Sequence, residues 1–420
     1  MRNMYDVIVL GGGAAGMMAA WVASMKKCKT LLIEQNEKLG KKLYITGKGR
    51  CNLTNACDAN KLMDGVVKNP KFLFSAFSVF NNKDLVEVLK KNGLETVVEQ
   101  GGRIFPKSGK SSDVIRFFQR KLSENNVEVR LHTKASRIII QENKVKGIML
   151  ENGDVLEAKK VVLATGGKSY PLTGSRGDGY KMAEETGHTI VKPYPALVAM
   201  VAQPSSLYDL QGLSLKNVSV TAYKKNKKIA SHFGELLFTH DGISGPIILN
   251  LSAFISQYAD VVLKLDLKPA LTEEKLERRI LRDFEKFPNS DIGNALKDLL
   301  PKRLIAPVLT LAGIDKEKKT NQISVEERKK LIRALKQMPF AIEKSRGFDE
   351  AIITGGGVDV KEISPATLES KIVSGLYFAG EILDVHAVTG GYNLQIAFST
   401  AYLAASKTAE SLEDSEKIFR

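Results

Sequence analysis

Two groups of residues in this sequence are of types that packing alone does not require. The first is Gly11, Gly13 and Gly16 followed by Glu34; the second is Thr46–Asn55, TGKGRCNLTN. In a G-x-G-x-x-G spacing the first glycine permits a tight turn and the second lets a pyrophosphate approach the backbone. The third lets a helix pack closely on the preceding strand. Ala14 and Ala15 then lie in the first turn of that helix, whose free amides and positive dipole end suit an anion. An acid about 20 residues further on can accept hydrogen bonds from a ribose diol and repel a 2′-phosphate. Glu34, with Gln35 beside it, stands at that place. The chemistry indicated is binding of a dinucleotide.

The second group admits four readings: a phosphate loop, a basic RNA contact, a redox cysteine or a surface turn. A Walker loop is excluded, because Gly47-Lys48 is followed by Gly49 and Lys42 stands where the motif's first glycine would be. The run also lacks the aromatic residues of a single-strand nucleic-acid platform.

The elements around these residues agree with the first reading. Val7–Leu10 is continuously apolar, as a strand buried on both faces should be, and an alanine- and methionine-rich stretch of good helix propensity follows the glycines. A second apolar run, TLLIE, ends at Glu34. The fingerprint does not by itself separate FAD from NAD. Its place at the start of the chain, and a second strand–loop–helix unit near the end, favour a flavin. That unit is the strand Leu376–Ala379, then Gly380-Glu381, a loop, and Gly390-Gly391 opening an apolar helix. Such a helix aims its amides at a second anionic target, which in a flavoprotein is the pyrimidine end of the isoalloxazine. An ordinary strand–turn–helix unit is the competing reading.

On further segments the chain resembles the BaiN/YhiN-like FAD-dependent oxidoreductases, a group that includes aminoacetone oxidases. The matching blocks are GGGAAG (11–16), GKKLYITGKGRCNLTN (40–55), ATGGKSYPLTGSRGDGYKMAEETGH (164–188), YPALVAM (194–200), GELLFTHDGISGP (234–246) and GLYFAGEILDVHAVTGGYNLQIAFSTA (375–401). The resemblance implies FAD contacts at Gly11, Gly13, Ala14, Ala15, Gly16, Glu34 and Gln35. It adds Lys42, Arg50, Cys51 and Asn52 from the second loop, and Thr165, Gly166 and Gly167 at the end of a buried strand. Gly380, Glu381, Asn393, Leu394 and Gln395 come from the C-terminal unit. Folds of this type pass a strand by the adenine, and VEVRLHTKASRIII (127–140) has the alternation for it, which makes Lys134 and Ala135 candidates. One departure concerns the C-terminal loop: members usually carry Asp-Gly where this chain has His386-Ala387.

The fold class expected is α/β: a discontinuous Rossmann-like FAD-binding domain with an inserted small β domain and a helical module. Residues 1–190 form its first part. Residues 191–270 form a β domain on the substrate side, with the hairpin-like turn KKNKK at 224–228. From 271 to 340 the pattern turns helical, with Leu276, Ile280, Phe284, Leu331 and Leu335 at i, i+4 spacing. Residues 341–356 return to the β domain, and 357–420 complete the FAD domain.

The 420 residues, 43% of them hydrophobic, suffice for two or three cores. The net charge of +15 invites an anionic partner. However, many cations lie in mixed-charge helical stretches such as TEEKLERRILRDFEK (272–286), so no stable nucleic-acid partner is expected. Three cysteines, Cys28, Cys51 and Cys57, match neither a CxxC nor a zinc pattern, which suggests a reducing cytoplasmic setting and no metal. Glycines interrupt the uncharged N-terminal stretch, so neither a signal peptide nor a membrane span is read there. Oligomeric state is left open.

For chemistry, the expectation is hydride transfer between flavin and a small organic molecule: a carbonyl, an amine or an activated C=C bond. A fumarate-reductase-like C=C reductase is one alternative, and a flavin-containing RNA-binding protein is another of a different class. With no second G-x-G-x-x-G after a strand, an NAD(P)H donor would have to dock transiently at the flavin face, or the electrons come from elsewhere. His386, in the loop before the C-terminal helix, is the first candidate acid or base. Tyr392 at the start of that helix is a candidate donor to a carbonyl, and His240 in the β domain is a third. Arg176 could bind a carboxylate. A Ser/His/Asp triad from Ser244, His240 and Asp241 is excluded, since no nucleophile elbow is present.

Overall fold

The computed structural model describes residues 4–204 and 209–418, with side chains described to residue 414. The chain divides into two units, one of residues 1–195 with 348–420 and one of residues 196–347.

In the first unit, Tyr5–Leu10, Thr30–Ile33, Val155–Leu163, Leu376–Phe378 and Glu128–Arg130 form a parallel sheet. Tyr5–Leu10 lies at the centre, with Thr30–Ile33 on one side and Val155–Leu163 on the other. Leu376–Phe378 pairs with the far side of Val155–Leu163, so the C-terminal unit enters the same sheet as the fingerprint. Val7, Ile8, Val9, Leu31, Leu32, Val161, Val162 and Phe378 are completely buried, as both-faced burial of a parallel sheet demands. The helix Ala14–Met25 is buried nearly all round, and Trp21 meets Phe117 and Phe118 edge-on. The long helix Tyr392–Ile418 packs against it.

The segment 127–140 is not one strand. Glu128–Arg130 extends the parallel sheet beside Thr30–Ile33, whereas Ala135–Gln141 pairs antiparallel with Lys144–Leu150. The break is at His132, whose φ of +49° turns the chain out of the extended region. Alternation in the sequence carries no mark of such a turn.

The second unit is built on a closed six-stranded barrel. Its strands, in spatial order, are Met200–Gln203, Gly242–Ser244, Lys227–Phe238, Ser214–Lys224, Val261–Asp266 and Met338–Ser345. The KKNKK turn is a two-residue hairpin, with Lys225 and Asn226 both at positive φ and Lys224 paired with Lys227. The helices Glu273–Lys286, Lys302–Ala312 and Val325–Lys336 bury their apolar stripes in the same core as the barrel. Leu276, Ile280, Phe284, Leu331 and Leu335 join Val220, Leu263 and Phe340 there. The helical stretch is therefore part of the barrel unit and not a separate module, because a single apolar stripe can be buried only against a partner surface. The boundaries fall at 195/196 and 347/348. Residues 341–356 are accordingly divided: Met338–Ser345 closes the barrel, and Ile353–Val358 pairs with Ile190–Ala196 in the first unit. Among the described residues no helix is long and apolar enough to cross a membrane.

Candidate active site

The fingerprint forms the turn its glycines allow. Gly11 has a φ of +102°, and a Cβ there would meet the Ala164 carbonyl oxygen at 2.6 Å. A Cβ on Gly16 would lie 1.7 Å from the Gly11 carbonyl oxygen, so any side chain would force helix and turn apart. At Gly13 the Cβ position is open, with nothing within 4 Å, and no side chain caps the helix that begins at Ala14. Uncapped amides beside open space are what an incoming pyrophosphate needs.

Glu34 is buried and engaged. One carboxylate oxygen accepts from the Gly12 amide at 2.7 Å, and the other accepts from the backbone and side-chain nitrogens of Asn36 at 2.8 and 2.6 Å. The Glu34 carbonyl also accepts from the Thr133 amide at 3.0 Å, and the Asn36 carbonyl accepts from His132. Thus 132–135 lies against the Glu34 strand end. The Lys134 side chain turns to Glu151 and Asp178, and its carbonyl accepts from the Glu151 amide, so the amides that bond this strand end are those of His132 and Thr133. Gln35 donates to the Gly174 carbonyl at 2.6 Å and anchors the loop after Gly167.

Chain segments remote in sequence meet next to the fingerprint. A Cβ on Gly380 would touch the Ala15 side chain at 2.8 Å. Glu381 accepts from Lys42 at 2.6 and 2.9 Å and from the Thr354 amide at 2.8 Å. The Thr354 hydroxyl in turn accepts from the Lys168 and Ser169 amides. Gly167 must lack a side chain because Thr354 Oγ1 would be 2.3 Å away, and Gly166 has a φ of +73°. Gly11–Gly16, Lys42, Thr165–Gly167 and Gly380-Glu381 are therefore one neighbourhood. Thr354 was not singled out by sequence, although the three glycines after it marked a place of close backbone approach.

The TGKGRCNLTN run is the end of a helical segment and a left-handed turn. Gly47, Lys48, Gly49 and Cys51 all have positive φ, an arrangement that costs free energy at the two non-glycine positions. Arg50 is engaged within the protein. Its guanidinium pairs with Glu99 and lies 4.4 Å from the centre of the Phe105 ring. Cys51 is completely buried, and burial pushes its thiol far above the ordinary range, which removes thiolate redox chemistry. The stretch Thr54-Asn55 runs beneath the C-terminal loop. A Cβ on Gly391 would strike the Thr54 carbonyl at 2.4 Å, and Asn55 donates to the Gly390 carbonyl at 3.2 Å.

In the C-terminal loop, the Asn393 side chain is used internally. It accepts from the Ala387 amide and donates to the Ala387 and Val388 carbonyls. These bonds shape the loop. Leu394 packs on the core, and Gln395 is fully buried, donating to Ser399. Among the buried polar atoms of the described residues that lack a hydrogen-bond partner within the protein are Asn52 Oδ1, Thr54 Oγ1, Thr165 Oγ1 and Gln395 Oε1. Unpaired buried acceptors are costly, and three of these four belong to the 52–55 and 390–395 segments that lie against each other. With the uncapped helix and the Glu34 strand end, these atoms offer polar groups of the kind an FAD molecule would satisfy.

His386 is buried and sits on a short strand opposite Lys68, its ring edge-on to Tyr194 at 5.9 Å and 87°. Tyr194 is itself held by Gly355, where a Cβ would come within 2.4 Å of its ring. It lies in the YPALVAM block, and the structure adds it as a neighbour of the candidate acid. Tyr392 is turned elsewhere. Its ring fills the space over Gly65, and its hydroxyl pairs with the Cys57 thiol. Burial, reinforced by that thiol, pushes the phenol up to about 12. His240 belongs to the barrel unit and is exposed beside Asp241, which Arg346 holds. Arg176 lies in the loop before the helix Asp178–Glu185 and is exposed.

Residues 5–407 match the family described as HI0933-like protein Rossmann domain. The chain is 32% identical over 414 residues to the 3-dehydro-bile acid delta(4,6)-reductase of Clostridium scindens, covering 97% of this chain and 100% of that one. It is 32% identical over 412 residues to the ribosomal RNA dihydrouridine synthase of Haemophilus influenzae, covering 96% and 98%. Among solved structures, the 3-ketosteroid delta1-dehydrogenase of Sterolibacterium denitrificans shares the fold, with a TM-score of 0.52 at 15% identity over 98% of this chain and 100% of that one. From fingerprint, assembled site and full-length likeness together, the chain belongs to the HI0933-like Rossmann-domain family of FAD-dependent oxidoreductases.

Proposed function

We propose that this oxidoreductase reduces a carbon–carbon double bond conjugated to a carbonyl, with NADH or NADPH as the transient electron donor. One observation carries the reading. Two relatives at equal identity and near-full coverage act on very different molecules, yet their names describe the same bond change. A delta(4,6)-reductase acting on a 3-dehydro substrate, and an enzyme making dihydrouridine, both saturate a C=C next to a carbonyl. Bound FAD supplies hydride chemistry at its N5.

The chain's own residues divide the remaining work. Glu34 and the Gly11–Gly16 turn hold the ribose and pyrophosphate, and the Lys42–Glu381–Thr354 network fixes the C-terminal turn against the fingerprint. His386, buried and set by Tyr194, donates the proton that the carbon next to the carbonyl must receive. The balance is complete: the nicotinamide loses a hydride, the far carbon of the double bond gains it, and the near carbon gains a proton. A cytoplasmic setting suits a chain whose three cysteines are free thiols.

A second reading concerns the substrate: a uracil ring within RNA, supported by the Haemophilus influenzae relative. The test supplies the purified protein with NADPH or NADH and either a 3-keto-Δ4 steroid or a uridine-containing ribosomal RNA fragment. Mass spectrometry should show one product gaining two hydrogens. Peroxide formation with an amino ketone, and no saturated product, would favour the oxidase activity of the family resemblance and refute this reading.

A further inference from the structure

The outer face of the barrel in the second unit carries a pattern that the oxidoreductase reading does not use. Along Ser214–Lys224, Val218, Val220 and Ala222 point into the core, so Ser219, Thr221 and Tyr223 face outward. The register places Phe233 beside Ser219, Ser231 beside Thr221 and Lys228 beside Tyr223 on one side. On the other side it places Asp266, Lys264 and Val262. The face thus has a floor of small hydroxyl residues, with Thr221 and Ser231 hydrogen-bonded at 2.9 Å, and an aromatic at each end.

Phe233 is 66% exposed, which is far from the ordinary fate of a phenylalanine in a finished barrel. Lys264 lies 5.1 Å over the Tyr223 ring, and at the hairpin end Lys224 lies 4.4 Å over Tyr258, itself 42% exposed. Lys225, Lys227 and Lys228 are exposed at the same tip. Asp266, the acid on the floor, is held by Lys336 at 2.6 Å, while Asp260 and Glu235 stand at the margins.

We infer that this face binds an unpaired segment of RNA, its bases stacking on Phe233 and Tyr223 and its phosphates meeting the hairpin lysines. An exposed phenylalanine and a half-buried tyrosine, interleaved with cations over a polar floor, form the kind of surface on which single strands are held without sequence readout. Ser219 and Tyr223 are four residues apart, about 14 Å at the rise of a strand, room for more than one nucleotide between the two rings. The inference rests on the RNA reading of the substrate, but it concerns a surface made wholly by residues 214–266.

The test is fluorescence anisotropy of the full-length protein with a labelled uridine-rich single strand and with a duplex of equal length, across a range of KCl. The expected result is preference for the single strand. Phe233→Ala should weaken binding on the order of tenfold, and Phe233→Tyr should restore it. Replacing Lys225, Lys227 and Lys228 by alanine should flatten the log K against log salt slope by about 2. Unchanged flavin content and melting temperature in these surface variants establish that the fold is intact. If the parent binds RNA and the variants bind equally well, this face is refuted while the RNA reading stands. If the parent binds no RNA, both fall. Loss only in the lysine variant, with Phe233→Ala unaffected, refutes the stacked mode. Binding of phosphatidylserine vesicles in place of RNA refutes the partner.

Discussion

Replacing Glu34 by glutamine isolates one claim about how FAD is held. In the structure the carboxylate accepts three local hydrogen bonds, from the Gly12 amide at 2.7 Å and from two nitrogens of Asn36 at 2.8 and 2.6 Å. Glutamine keeps the shape but offers one acceptor and one donor. Its amide nitrogen must therefore face either the Gly12 N–H or the Asn36 N–H, a donor against a donor. A hydrogen bond to a charged group is worth about 1.5–3 kcal/mol. The ribose diol loses a charged acceptor at the same time. A loss of about 2–3 kcal/mol in FAD affinity corresponds to a Kd raised roughly 30- to 150-fold. The assay is titration of deflavinated protein with FAD, followed by flavin fluorescence, and repeated with FMN. FMN lacks the adenosine ribose, so its affinity should change little. The selective loss for FAD separates a ribose contact from general loosening of the turn. An FAD Kd within twofold of the parent, or equal losses for FAD and FMN, would refute the reasoning.

His386→Ala should slow saturation of the substrate roughly 10²–10⁴-fold with FAD content unchanged, whereas Tyr392→Phe should cost only a few-fold, because its hydroxyl is turned to Cys57; the reverse ranking would exchange their roles. Lys42→Met and Glu381→Gln should be non-additive in a double-mutant cycle on FAD retention, with coupling on the order of 1 kcal/mol, given the 2.6 Å pair with side chains only 23% and 22% exposed; simple additivity would show that the pair does not act as a unit. Burial holds the His188 imidazole below its ordinary range, and Ser370, Thr186 and the Ala183 carbonyl surround it. As pH falls through 6.5 the unfolded chain takes up a proton that the folded chain resists, so stability should drop by up to roughly 1.4 kcal/mol per pH unit until the folded pKa is reached. His188→Gln should remove that part of the slope in melting temperature against pH, and an unchanged slope would assign it to other groups.

Much of the first unit was legible because its signals are local. Continuous apolar runs mark strands buried on both faces, and glycines mark places where a Cβ cannot fit, as at Gly11 and Gly16. Lys42 and its partner Glu381 both lay in matching blocks, although a separation of 339 positions hid the ion pair. What stayed hidden depends on distant partners of ordinary type. Nothing in TGKGRCNLTN marks Glu99 as the group that takes Arg50, nor Cys57 as the group that takes the Tyr392 hydroxyl. Asn393 was a candidate through the family resemblance, and its residue type does not tell that the amide bonds Ala387 and Val388 of its own loop. The helices of the barrel unit were visible by their i, i+4 stripes, but such a stripe does not say what it is buried against, and it was the barrel.

The central claim, reduction of a carbonyl-conjugated C=C bond, is tested most directly by the oxidative half-reaction without oxygen. Holoprotein reduced by one equivalent of NADPH or dithionite is mixed anaerobically with a 3-keto-Δ4 steroid or a uridine-containing ribosomal RNA fragment, and the flavin absorbance near 450 nm is followed. The absorbance should return in step with a saturated product, at a rate that His386→Ala lowers. Flavin that stays bleached with both acceptors, and regains its colour only when oxygen or another class of acceptor is admitted, would contradict it.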